Sequence, residues 1–156
     1  MKNKILAIST CDPEKTAILL AEFSTDTSSS TLRKCGIRSV VITDKKVWRA
    51  ETHQSEELLP EIDKLLKKNK VLPKNLGLII VNIGPGSFTG TRVGVATANA
   101  LVFGLEIPVA GVKNKGKIED ILKVGFKLFQ EGRIKEGIIA KPFYDQAPNI
   151  TKSKRM

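Results

Sequence analysis

The residues with the strongest claim to chemistry lie in one run: Gly84, Pro85, Gly86, Ser87, Phe88, Thr89, Gly90, Thr91 and Arg92. An apolar stretch precedes the run and a helical pattern follows it, and backbone N–H groups at a helix N-terminus attract anions. Gly84, Gly86, Ser87, Thr89, Gly90 and Arg92 are therefore a candidate anion or nucleotide loop. Three familiar motifs are excluded. A phosphate loop ends in Gly-Lys-Ser/Thr, whereas Thr89-Gly90-Thr91 brings no lysine. The dinucleotide fingerprint places its third glycine where Thr89 stands, and Gly90 comes one position late. A serine-hydrolase elbow needs glycines flanking the serine at two-residue spacing, but Ser87 directly follows Gly86. The plainer alternative is a tight turn whose glycines allow close packing.

No other group supports catalysis or a metal. His53 is the sole histidine, and Cys11 and Cys35 form no Cys-x-x-Cys pair, so both are expected as free, reduced thiols.

Several elements must hold this loop. Residues 4–9 read as a buried strand and 16–23 as a second apolar strand, after the turn-prone Asp12-Pro13. Residues 24–31 are almost all small and polar and read as a flexible loop. Residues 37–43 and 46–51 read as a hairpin turning at Asp44-Lys45. From Ser55 the period becomes helical, with Leu58, Leu59, Ile62, Leu65 and Leu66 on one side and lysines between them. Ser55 would cap that helix and Pro60 would bend it. Residues 76–83 are apolar on both alternating faces, which predicts a strand covered on both sides. A helix opened by Ser87 or Thr89 runs to about Phe103; a strand at 107–112 and a helix at 118–130 follow, with an irregular basic tail from Gly132. Antiparallel strands followed by alternating helices and strands describe an α/β fold with a mixed sheet. Gly90, Gly94 and Ala98 recur every four residues and line one face of the second helix. That face admits close approach by a neighbour, either internally or from a partner.

The chain has 156 residues, 41% of them hydrophobic and 27% charged, which suits one compact domain. No segment is long and apolar enough to span a membrane, and the first residues lack the apolar core of a secretory signal, so a cytosolic protein is expected. The formal charge is +10; residues 113–156 hold 11 basic against 5 acidic groups. Such a field attracts polyanions such as tRNA, although a solvated lysine-rich surface is the commoner explanation of a basic balance.

Residues 84–112 (GPGSFTGTRVGVATANALVFGLEIPVAGV) resemble the signature of the TsaB (YeaZ) family. Residues 53–60 (HQSEELLP) are similar to that family's first helix start, residues 4–10 (KILAIST) to its first strand, and 142–148 with 150–152 to its closing segment. The resemblance implies an actin-like, RNase H-like (ASKHA) fold and tRNA threonylcarbamoyladenosine modification. It also implies a TsaD-like partner in a heterodimer, a TsaE-like ATPase, tRNA engaged only indirectly, and homodimerisation when the chain is alone. By that resemblance the chain is a non-catalytic scaffold with no metal or cofactor, ATP entering only in complex with partners. The partner interface would use Leu58 and Ile62 of the first helix with Gly90, Gly94 and Ala98 of the second.

Two departures stand out. The family's Asp-Thr-Ser after strand one is here Ser9-Thr10-Cys11, which removes a carboxylate that could hold a hard cation. Where the family builds a second lobe after the Pro-Val strand, little more than a connector is present. Residues 1–112 are therefore expected as an N-terminal lobe, 113–156 as a reduced C-terminal connector, helix and tail, and 24–36 as an insertion.

Overall fold

A computed structural model describes residues 2–25 and 37–144. Its centre is β1 (Lys4–Ser9), in which Ile5, Leu6, Ala7 and Ile8 are wholly buried. A strand buried on both faces needs a layer on each, and the chain supplies them. Antiparallel to β1 runs β2 (Thr16–Thr25), and antiparallel to β2 runs β3 (Ile37–Trp48). On the other side β4 (Leu76–Gly84) pairs parallel with β1, and β5 (Val109–Lys113) parallel with β4. The sheet order is thus β3-β2-β1-β4-β5, the mixed arrangement expected from the sequence.

Leu6, Ile8, Ile79 and Val81 point to one face, which is covered by α1 (Gln54–Lys68) and α2 (Phe88–Leu105). Ile5, Ala7, Leu78 and Ile80 point to the other, which is covered by α3 (Ile118–Gln130) through Ile118, Ile121, Leu122 and Phe126. Residues 118–130 therefore complete the same core as residues 1–112, and the division expected at 112 falls inside one packed unit.

The hairpin expected at Asp44-Lys45 is not formed. β3 runs unbroken past both residues along β2, and the register steps where Leu20 faces Asp44 and Ala21 faces Ile42. The polar dipeptide thus marks a bulge on an exposed edge strand, where one extra residue is accommodated without reversing the chain. Asp44 is held there by the Asn69 amide at 2.9 Å and the Lys68 ammonium at 2.9 Å.

The helix starts differ in one respect from the sequence pattern. His53 occupies the cap position of α1 without a side-chain cap bond, and Ser55 lies inside the helix. Gln54 is instead turned inward, its amide donating to Thr10 O at 3.0 Å and Thr16 Oγ1 at 2.8 Å. Ser87 caps α2 as expected, its Oγ accepting from the Gly90 N–H at 3.1 Å. Ser24 and Thr25 extend β2; the rest of the expected loop and insertion, Cys35, and residues 145–156 lie outside the described residues.

After α3 the chain is irregular and returns to the sheet. The Ala140 backbone exchanges two hydrogen bonds with the Asn99 side chain, at 2.9 and 2.8 Å, and the Phe143 N–H donates to Ile83 O at 2.7 Å. Residues 140–143 thereby strap the end of β4 to α2.

Candidate functional site: a cleft at the strand ends and two helices beside it

The carboxyl ends of the parallel strands β1, β4 and β5 open onto a cleft of about 670 Å³. Such crevices are where open α/β sheets bind ligands. Its walls come from the turns after each strand, including Cys11 and Asp12 after β1, Gly86 and Ser87 after β4, and Lys115 and Lys117 after β5.

Asn82 organises this end of the sheet. Its amide donates to Ser9 Oγ at 3.2 Å and Asn114 O at 2.9 Å, while its Oδ1 accepts from the Gly84 N–H at 3.1 Å. One side chain thus ties the ends of β1 and β4 to the turn that follows β5. The apolar pattern of residues 76–83 assigns Asn82 no role; a lone amide inside a strand buried on both faces is the available signal, because such a group must find partners.

The glycine loop is packed rather than open. The Ser87 N–H donates to Cys11 O at 2.7 Å, and the Asn114 N–H donates to Gly84 O at 3.1 Å. A Cβ on Gly86 would lie 2.6 Å from both the Cys11 carbonyl oxygen and its Cβ, and Gly84 sits at φ +115° directly against Phe143 O. Two N–H groups that an anion would need, those of Ser87 and Gly90, are already bonded to the chain. Of the six loop residues proposed for an anion, only Gly86 and Ser87 reach the cleft. Arg92 is elsewhere: its guanidinium lies 5.2 Å from the Phe88 ring centre.

Cys11, at the position of the family's third triplet residue, is buried between β4 and α2. Its thiol donates to Asn82 O at 3.4 Å and accepts from Thr91 Oγ1 at 3.4 Å. Burial pushes its pKa up, so it is held as a thiol rather than a nucleophilic thiolate. His53 is exposed, beside Glu56 at 3.7 Å, and lines no part of the cleft.

The residues expected to meet a partner are interior. Leu58 and Ile62 of α1 are within 2% of full burial, and Ala98 of α2 is wholly buried. A Cβ on Gly94 would collide with Thr10 Oγ1, and one on Gly90 with Thr10 O. The small-residue stripe therefore lets α2 lie against the end of β1, where Thr10 Oγ1 donates to Gly90 O. A partner cannot reach this face, which corrects the residue assignment. On the solvent side of these helices, Leu59 of α1 and Ala96, Ala100 and Phe103 of α2 are exposed, Phe103 to 88%.

Strand order, two helices on one face, one helix on the other and a cleft at the switch in strand direction define an RNase H-like, actin-type lobe. The family pattern described as TsaD, tRNA N6-adenosine threonylcarbamoyltransferase, matches residues 48–115. The tRNA threonylcarbamoyladenosine biosynthesis protein TsaB of Bacillus subtilis (strain 168) is 33% identical over 57% of this chain and 39% of its own length. The protein of the same name from Haemophilus influenzae is 30% identical over 59% and 38%. The solved structure of YeaZ from Pseudomonas aeruginosa superposes with a TM-score of 0.52 at 26% identity, covering 72% of this chain and 44% of that one. Over the stretch these proteins share with it, the chain is similar to the TsaB/YeaZ proteins. It spans about two fifths of the length of the curated relatives it matches.

Proposed function

We propose that this chain is a non-catalytic docking lobe in the synthesis of threonylcarbamoyladenosine in tRNA, binding a TsaD-like threonylcarbamoyltransferase. The TsaE-like ATPase and the tRNA are then engaged through that partner, in the cytosol. The observation that carries the reading is the outer face of the α1–α2 pair. Ala96 and Ala100 keep it low, so a partner's helix approaches closely, while Leu59 and Phe103 supply apolar area that water covers in the isolated chain. Burying Phe103 alone is worth about 1.5–3 kcal/mol.

The absence of independent catalysis is supported by the state of the polar groups near the cleft. Asn82 and Ser9 bond each other, Cys11 is a buried thiol, Ser87 caps a helix, and Ser9 stands where an acidic residue would be needed to hold a cation. None of these is poised as a nucleophile or base.

The rival reading, nucleotide binding, draws on the cleft: Lys15, Lys115 and Lys117 line it without an ion-pair partner among the described residues. Co-expression with the TsaD-like chain of the same genome separates the two. Co-purification in equal amounts, with no heat on titrating ATP into the isolated chain, is the expected outcome. Micromolar ATP binding by the isolated chain, lost in Lys117→Ala, without capture of the partner, would replace the proposal with the rival.

A further inference from the structure

Beside the cleft, on the side of the α2 start, three aromatic rings stand at the surface, two of them with a cation against the ring. Phe88 is the first residue of α2 and is 45% exposed; Tyr144, delivered by the strap that bonds to Ile83 O, is 36% exposed. Their ring centres are 4.6 Å apart at an interplanar angle of 31°. The Arg92 guanidinium lies 5.2 Å from the Phe88 ring centre, and the Lys113 ammonium 3.8 Å from that of Phe143. Arg92, Lys113 and Lys141 have no ion-pair partner among the described residues.

Aromatic rings in water are costly unless something stacks on them, and cations without carboxylate partners favour an anionic ligand. One ligand class satisfies both demands along a single strand. Unpaired bases offer flat faces to Phe88 and Tyr144, and the phosphates joining them offer charge to Arg92 and Lys113. A folded protein partner of acidic character would neutralise the cations but has no general need of paired, tilted rings. A duplex hides its base faces in its own stack. The chain's net charge of +10 brings a polyanion to this surface irrespective of sequence.

We propose that Phe88 and Tyr144, flanked by Arg92 and Lys113, form a stacking platform for single-stranded nucleic acid. The platform lies at the start of α2, and Phe103, the anchor of the face assigned to the transferase, lies four turns farther along the helix. Stacking explains why Arg92 turns away from the cleft, since the guanidinium against Phe88 leaves its donors free for phosphate oxygens. The platform would hold two or three nucleotides, which predicts weak binding, sequence tolerance and strong salt dependence.

The test is fluorescence anisotropy of a labelled ten-nucleotide single-stranded RNA with the intact chain, over a range of salt, beside the same RNA in duplex form. Expected is tighter binding of the single strand, and a loss of tenfold or more in the Phe88→Ala/Tyr144→Ala pair with the log–log salt slope unchanged, because no charge has been removed. Phe88→Trp should retain full affinity. Both rings are surface-exposed, and an unfolding curve matching the parent confirms that the variants are folded. Unchanged affinity in the alanine pair, equal binding of the duplex, or no binding at all by the parent chain would each overturn the platform and leave the positive charge as a solvated surface only.

Discussion

Gly94 shows how a correct pattern can carry an incorrect consequence. The four-residue recurrence of Gly90, Gly94 and Ala98 was legible in the sequence, because spacing alone says which residues share a helix face. Spacing does not say whether that face looks inward. The answer comes from Thr10, a residue nothing in the sequence connected to α2, whose hydroxyl bonds to Gly90 O and fills the space beside Gly94. Gly94→Ala is therefore expected to destabilise the isolated chain by about 1–3 kcal/mol, read from the urea unfolding midpoint, since Thr10 has a hydrogen bond to lose if it moves. An unchanged midpoint would mean that α2 rides higher on the sheet than described. The same contact makes Gly94 unsuitable as an interface probe: a bulky substitution there damages the fold before it touches a partner. Asn82 is the opposite case. It holds the strand ends at the cleft together but was hidden, because a polar residue in an apolar run looks like an imperfection until its partners at the ends of β1 and β4 and after β5 are seen.

Among the elements, β3 departs furthest from what its sequence predicts, and it also carries the chain's main acid-sensitive links. Three of its residues make charged links to the helices, Asp44 to Asn69 and Lys68 at the end of α1, Lys46 to Glu61 in the middle of α1, and Lys45 to Glu119 at the start of α3, while the Trp48 indole N–H donates to Glu57 of α1. A polar Asp-Lys pair in a β-rich region is normally a turn signal, and only the long pairing partner β2 makes a bulged edge strand the better solution. The Asn69 amide, then the Lys68 ammonium, hold the Asp44 carboxyl down at about 2, from an ordinary value of 3.8. Glu61 is lowered chiefly by Lys46, and Glu119 chiefly by Lys45. A carboxylate whose folded value is depressed stabilises the fold at pH above its unfolded value, and that contribution disappears as pH falls through the folded value. For Asp44 the window runs from about pH 4 down to about 2. The thermal unfolding midpoint should fall across this window in the parent chain and fall less steeply in Asp44→Asn. Parallel curves for the two would show that the link to Asn69 and Lys68 adds no stability. By contrast, β1, β4, α2 and α3 were all legible with small boundary errors, because unbroken apolar runs and strong helical periodicity leave few alternatives.

At the scale of the whole molecule, a mixed sheet layered by helices on both faces was implied by the order of the patterned segments, and the structure has it. Less legible was the unity of the chain. A lysine- and glycine-rich connector after residue 112 looked like a boundary, yet α3 follows it directly onto the open face of the sheet and buries Ile121 and Leu122 there. With the sheet covered on both faces, the apolar side chains left exposed are scattered over edges, turns and outer helix faces, and the outer side of α2 holds the most exposed large hydrophobic side chain described, Phe103. The proposal that this lobe serves as a docking surface depends on that face, and one calorimetric comparison tests it most directly. The TsaD-like chain is titrated with the parent protein and with Phe103→Glu, each shown to be folded by its unfolding midpoint. A loss of about thirtyfold or more in affinity with an unaltered midpoint is predicted, the size expected for an anchor residue at an interface centre. Undiminished affinity in Phe103→Glu would contradict the account and move the partner to another surface.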